Sequence, residues 1–215
     1  MSEHPLLRGV RGERHLLLGN EAIVRGALEA GVHMVSCYPG TPSSEVPDTF
    51  HALGGEGRYR MEYSVNEKVA LEVAAGAALA GAMSLVTMKH VGLNVAADPL
   101  FTCVYTGLPG GMVVLTADDP GCHSSQNEQD NRTYARFAQL PCFEPAAAQE
   151  AKDMTREAFR LARELQQREG LIVTHSVKGK GNVRGVRIEQ YKVPDSFQSD
   201  LLNTPPVHAR AYTKK

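Results

Sequence analysis

SVNEKVALEVAAGAALAGAMSLVTMKHVGLNVAADP, residues 64–99, is the stretch from which the rest of the chain is read. An acid, Glu67, stands at its start, and most residues from there to Gly81 are Ala, Gly, Val and Leu. Such small, mostly good helix formers predict a helix over Val65 to Gly81, slim enough for a neighbour to approach closely. SLVTM, Ser84 to Met88, then reads as a strand, KHVG as a loop, and Asn94 to Tyr105 as a further helix.

The same alternation extends to both sides. Upstream, Gly19-Asn20 offers a cap for the helix EAIVRGALEA, which Gly31 stops. VHMVSC then reads as a buried strand ending in Pro-Gly, and Ser43 or Ser44 caps a short helix from Glu45 with Pro47 in its first turn. Tyr59 to Tyr63 is the next strand. Downstream, Gly111 to Ala117 is strand-like, and DDPGCHSSQNEQDNR forms a long polar loop. One or two helical turns come next over Thr133 to Ala138, then a short strand at Pro141-Cys142-Phe143. Gln149 to Glu169 is an amphipathic helix and Leu171 to Thr174 a last strand. Helix and strand in alternation predict an α/β fold: a doubly wound, mostly parallel sheet with helices on both faces. In such sheets ligands sit beyond the carboxyl ends of the strands. YPGTPSS, MKHVGLN and ADDPGCHSSQNEQDNR all fall at such ends.

Composition narrows the function classes. The 215 residues suit one domain, 42% hydrophobic and 22% charged, with a net charge of −1 and no global pull on nucleic acid or membrane. Trp is absent and aromatics are 6%, so base-stacking platforms are scarce. The most apolar run, Val73 to Met88, is too short to insert into a membrane. Cys37, Cys103, Cys122 and Cys142 lie far apart without CxxC, which argues against a zinc or iron–sulfur site here and suits a reducing cytoplasm. Residues 1–14 read as an arm and 15–177 as the domain. Residues 178–215, with eight Lys/Arg against three Asp/Glu, read as a basic tail that wraps a partner subunit or stays mobile.

Several residues are candidates for chemistry. Glu67 is either one arm of a capping box with Ser64 or a carboxylate offered to a protonatable heterocycle. YPGTPSS is either a plain turn or a site, in which Gly40 permits close approach while Thr41, Ser43 and Ser44 present hydroxyls beside a helix start. It lacks the GKS/T ending of a phosphate loop. Lys89 and His90 are a solvated pair or an anion site at a strand end. His123, in the long polar loop, is a surface residue or a substrate contact; the acids of that loop do not match a calcium spacing. The cysteines read as small core or loop residues, with Cys122 as a nucleophile the lesser alternative.

Taken in order, LLLGNEAIVRGALEAGV, YPGTPSSEV, YSVNEKVALEVAAGAALAG, VTMKHVGLNVAADP and ADDPGCHSSQNEQDNR through EPAAAQEAKDM resemble one family, over about residues 15–165. It is the N-terminal, pyrimidine-binding part of indolepyruvate:ferredoxin oxidoreductase α subunits, in the thiamine-diphosphate 2-oxoacid:acceptor oxidoreductase superfamily. The resemblance implies that Glu67 bonds N1′ of the cofactor's aminopyrimidine, with Gly40 and Asn94 also at the cofactor. It implies that Thr41, and less directly Lys89, His90 and His123, line the substrate pocket. It implies oxidative decarboxylation of an aryl pyruvate or similar 2-oxoacid to an acyl-coenzyme A. The family's GDG…N magnesium motif and ferredoxin-like cysteines do not occur in these residues. Magnesium, 4Fe–4S clusters and the diphosphate are therefore expected on partner chains carrying a pyrophosphate-binding domain, a ferredoxin-like domain and a γ-type domain. The chain alone is then inactive, whether a subunit or a fragment. The alternatives are a subunit of a non-oxidative thiamine-dependent decarboxylase and a non-catalytic scaffold.

Overall fold

The structure is a computed structural model that describes residues 4–55, 57–164, 171–176 and 184–187. Among them, six strands form a parallel sheet: β2 (Met34–Cys37), β3 (Arg60–Tyr63), β4 (Ser84–Lys89), β5 (Met112–Asp118), β6 (Cys142–Phe143) and β7 (Leu171–Ser176). Their order across the sheet is β3-β2-β4-β5-β7-β6. The doubly wound expectation holds.

The central strands show why. In β4, Leu85 faces one core while Val86 and Met88 face the other; in β5, Val113 and Leu115 oppose Met112 and Val114. Period-two alternation with both faces apolar is the mark of a strand covered by helices on each side. One face carries α1 (Gly19–Ala30), α2 (Glu45–Leu53) and α7 (Ala148–Glu164), whose Ile23, Leu28, Phe50 and Phe159 pack on it. The other carries α3 (Glu67–Leu79), α5 (Ala97–Thr106) and α6 (Arg132–Ala138), represented by Leu71, Ala74, Leu100 and Ala135.

The winding reverses at β2. The chain leaves β2 through α2 to β3 at the sheet edge, then returns through α3 on the opposite face to β4. The carboxyl ends of β2 and β4 therefore flank a crevice that neither connection covers.

Several expectations are corrected. KHVG is not a loop: α4 (His90–Val95) starts directly at the end of β4, with Lys89 as its cap residue. Leu18, not Gly19 or Asn20, precedes α1, and Glu21 reaches back to the Leu18 N–H at 2.8 Å. Gly31 does stop α1, in the left-handed region at φ 79°. The arm read over residues 1–14 carries structure of its own: Pro5–Leu7 is a 3-10 turn that buries Leu6, and β1 (Arg14–Leu17) starts at its end. Part of the tail also turns inward, because Arg184–Arg187 (β8) pairs antiparallel with β1 of the same chain. The rest of 178–215 and the end of the helix drawn to Glu169 lie outside the described residues.

Candidate functional site

Glu67 is placed by its neighbours at the head of α3. The Ser64 N–H donates to the Cys37 carbonyl at 2.8 Å, and α3 starts only at Glu67, so Ser64 stands two residues before the cap position. Asn66 caps instead, its Oδ1 accepting from the Val69 N–H at 2.9 Å. The capping box fails for that reason, and the Glu67 side chain is left free to reach sideways. It lies against α4 at Gly92, where an added Cβ would stand 2.6 Å from both Cγ and Oε1 of Glu67. Only glycine leaves room there for a carboxylate. Among the described residues Glu67 has no hydrogen-bond or ion-pair partner, and it is half-buried. Beneath it, the buried Ser36 hydroxyl donates to the Ala70 carbonyl at 2.6 Å and fixes α3 to β2.

Across the crevice, Gly40 is the counterpart of Gly92. A Cβ on Gly40 would meet the Lys89 side chain at 2.8 Å, so the lysine stem lies directly over the turn after β2. Lys89 Nζ donates to the Ser124 carbonyl at 2.9 Å and so ties the long loop to the crevice. Thr41 is exposed at the same turn, while the Ser43 hydroxyl folds back onto the Gly40 carbonyl at 2.7 Å and rigidifies it. Thus Glu67, Gly40, Thr41 and Lys89 stand around one switch point.

The remaining candidates fall elsewhere. His90 has no exposed surface. Its Nε2 meets the Asn127 carbonyl at 3.1 Å, and its own carbonyl accepts from Asn131 Nδ2 at 3.0 Å and Gln129 Nε2 at 3.2 Å. It belongs to the frame rather than the pocket wall, because a fully covered ring cannot touch a substrate. The exposed Asn94 amide bonds Gln129 at 2.9 Å and accepts from the Tyr134 hydroxyl at 2.6 Å. His123 is exposed, and its ring folds over Gly121. Cys37 and Cys103 are buried; burial, with Asp48 nearby, pushes the Cys37 thiol up to about 12, so it is inert.

Sequence reasoning missed Asp118 and Asn131, the residues that organise the long loop. Asn131 Nδ2 donates to Thr116 Oγ1 at 2.6 Å, and its N–H to Asp118 Oδ2 at 3.2 Å. Burial pushes the Asp118 carboxyl up to about 6, against the Asn131 N–H and His90. Its neighbour Asp119 moves the other way, to about 2, because it accepts from the Ser125 hydroxyl at 2.7 Å and the Ser124 N–H at 2.8 Å. A strand ending Thr-Ala-Asp-Asp before a loop rich in Asn and Ser was the available signal. Among the described residues no group of three His, Cys, Asp or Glu is placed to hold a metal ion. No helix there is long and apolar enough to cross a membrane.

Comparison with known proteins bears on this arrangement. Residues 25–182 match the family described as "pyruvate flavodoxin/ferredoxin oxidoreductase, thiamine diP-bdg". The chain is 51% identical over 195 residues to the indolepyruvate oxidoreductase subunit IorA of Archaeoglobus fulgidus, covering 88% of this chain and 30% of that protein. It is 56% identical over 151 residues to the IorA of Thermococcus kodakarensis, covering 70% and 23%. The 2-oxoglutarate synthase subunit KorA of Methanothermobacter marburgensis is a more distant relative, 26% identical over 200 residues, covering 90% of this chain and 51% of that one. Among solved structures, a 2-oxoglutarate:ferredoxin oxidoreductase from Magnetococcus marinus, with 2-oxoglutarate, coenzyme A and succinyl-CoA bound, superposes with a TM-score of 0.67 at 18% identity. That match covers 86% of this chain and 34% of the other, and establishes likeness of fold. The chain thus spans between 23% and 30% of the length of these IorA relatives.

Proposed function

The chain belongs to the pyruvate flavodoxin/ferredoxin oxidoreductase family, in its thiamine-diphosphate-binding domain, and from that premise we propose that it supplies the aminopyrimidine half of a thiamine-diphosphate site in a 2-oxoacid:ferredoxin oxidoreductase of indolepyruvate type. The observation that carries this reading is the Glu67 carboxylate, half-buried, without a partner among the described residues, and pressed on a glycine that leaves it just enough room. The residues fit the cofactor: an acceptor at a helix head, a close-approach glycine on each side of the crevice, and a hydroxyl and an ammonium beside them.

Thiamine diphosphate, when bound, supplies the electron sink that decarboxylation of a 2-oxoacid needs. Glu67 holds a proton between its carboxylate and the ring nitrogen N1′, and so fixes the ring's tautomer. Gly92 and α4 keep that carboxylate facing the crevice. Thr41, in the turn after β2, and Lys89, at the end of β4, offer a hydroxyl and a positive charge to the acid group of the substrate. An aryl pyruvate is the substrate class, by the names of the relatives. Partner chains hold the diphosphate, magnesium and 4Fe–4S clusters, and coenzyme A collects the acyl group.

Glu67→Gln tests the reading in the enzyme assembled with its partner chains. Turnover falls by about 10²–10⁴-fold, while the melting temperature of the chain moves little because Glu67 makes no internal bond. Wild-type turnover in that variant removes Glu67 from the chemistry.

A further inference from the structure

α4 is too short to hold a position by itself: six residues, with no side chain bonded to its head as a cap. Leu93 roots it in the core, and the end of the long loop grips it at both ends. Asn131 has no exposed surface. Its Nδ2 carries two hydrogens; one goes to the His90 carbonyl at 3.0 Å and the other to Thr116 Oγ1 at 2.6 Å. Its N–H donates to Asp118 Oδ2 at 3.2 Å, and its Oδ1 accepts from Gln129 Nε2 at 2.6 Å. The opposite amide orientation would set an oxygen against the His90 carbonyl, two acceptors face to face. Asn131 is therefore anchored on β5 and bonded from there to the first residue of α4. Gln129 takes the other end. Its amide pairs with that of Asn94, its Nε2 donating to Oδ1 at 3.0 Å and its Oε1 accepting from Nδ2 at 2.9 Å.

This grip lies on one side of α4 and Glu67 on the other. Positions 90 and 94 are about one turn apart and share a side, whereas position 92 is roughly 200° round from 90. His90 and Asn94 accordingly meet the loop residues Asn127 and Gln129, while Gly92 backs onto the Glu67 carboxylate. The fit there has no slack, because an added Cβ on Gly92 would lie 2.6 Å from Glu67 Oε1. A shift of α4 toward or away from α3 is passed to that carboxylate.

We propose that Asn131 and Gln129 are positioning residues: through α4 they fix how far Gly92 stands from the head of α3, and so where the Glu67 carboxylate can point. Neither bonds Glu67 itself. The grip stands on the hydrogen bonds alone; its effect on turnover rests on the proposed function.

Two variants separate the grip from general stability. Asn131→Asp keeps the volume but replaces the donor to the His90 carbonyl by an oxygen. Gln129→Ala releases Asn94 and buries no charge, and it is the deciding variant where Asn131→Asp does not fold. Amide hydrogen exchange on the full chain follows the Ala96 N–H, which bonds the Gly92 carbonyl at 3.1 Å. In each variant that amide exchanges about tenfold faster, the loss of one hydrogen bond on α4, while amides of α7 on the far face of the sheet keep the wild-type rate. The carbon-13 resonance of the Glu67 carboxyl moves in both variants, with or without an added charge. In the enzyme assembled with its partner chains, each variant lowers kcat about tenfold and leaves KM for the 2-oxoacid unchanged. In the Glu67→Gln background neither lowers the residual kcat further, because the carboxylate they position is gone. A role confined to stability removes the same factor from both backgrounds. Wild-type exchange at Ala96, an unmoved Glu67 resonance, or equal losses of kcat in both backgrounds overturns the proposal and leaves the thiamine reading intact. Full turnover of Glu67→Gln sinks the thiamine reading, and the exchange and resonance results still stand.

Discussion

Gly92→Ala separates the chemistry of Glu67 from the stability of the fold. The new Cβ would lie 2.6 Å from Cγ and Oε1 of Glu67 and 2.9 Å from Cδ, whereas ordinary contact begins at 3.4 Å. The carboxylate must therefore withdraw by about 0.8 Å, taking ordinary contact as the target. Glu67 is a flexible side chain, so the move costs a rotamer adjustment of roughly 0.5–1.5 kcal/mol. Alanine in place of glycine inside α4 returns about 1 kcal/mol of helix propensity. The two nearly cancel, and the melting temperature stays close to wild type. Catalysis does not share that compensation. A displacement near 1 Å at a group that must meet a ring nitrogen costs on the order of 100-fold, or about 2.7 kcal/mol of barrier. The assay is thiamine-dependent turnover of a 2-oxoacid by the assembled enzyme, beside thermal unfolding of the same preparation. An alanine variant with turnover within about twofold of wild type, a change of only ~0.4 kcal/mol, shows that the acid does not work from the position described.

Three further outcomes are expected. Lys152 is fully buried, 3.1 Å from Glu29, whose side chain is 2% exposed; Lys152→Met strands that acid with Arg25 and Arg156. Urea unfolding registers a loss of about 3 kcal/mol, and an unchanged midpoint shows that the two arginines suffice. Asp119 is held near 2, below its usual 3.8, so its stabilisation is present above 3.8 and disappears as pH falls toward 2. Asp119→Asn flattens that acid limb in denaturation midpoints taken from pH 2 to 5, and an unaltered limb assigns it to other groups. Thr41→Ala raises KM for the 2-oxoacid by about tenfold, the loss of one hydrogen bond, without altering the Kd of thiamine diphosphate; equal shifts in both move Thr41 out of the substrate pocket.

How much of this was legible in the sequence varies with the range of the interaction. The strands of SLVTM and GMVVLTA were visible because their apolar runs are local and their flanks carry turn residues. The choice of cap for α3 was not. Ser64 and Asn66 are both good caps, and spacing favours Ser64 with Glu67. The decision came from where the helix begins, at Glu67, which leaves Ser64 in the extended segment bonded to Cys37 and puts Asn66 at the cap. Similarly, KHVG carries a glycine and two polar residues and reads as loop, yet it folds into α4 because packing outweighs propensity in a short helix. Arg25 and Lys152 defeat any pattern rule. Charged residues default to the surface, but α1 and α7 approach so closely that a Cβ on Gly26 would stand 2.3 Å from the Lys152 carbonyl, and both charges are sealed between them.

By itself, the order of residues settled the alternation of helix and strand, the covering of both faces of the sheet, and the presence of an acid at the head of a slim helix. These arise from periodicity and side-chain size, which act over a few neighbouring positions. Only the tertiary structure decided what that acid meets. The reversal of winding at β2 brings α3 beside α4, sets Glu67 on Gly92, lays Lys89 over Gly40 and ties both His90 and Asp118 to Asn131. Those meetings join segments distant along the chain, and it is the path of the crossovers that makes them neighbours.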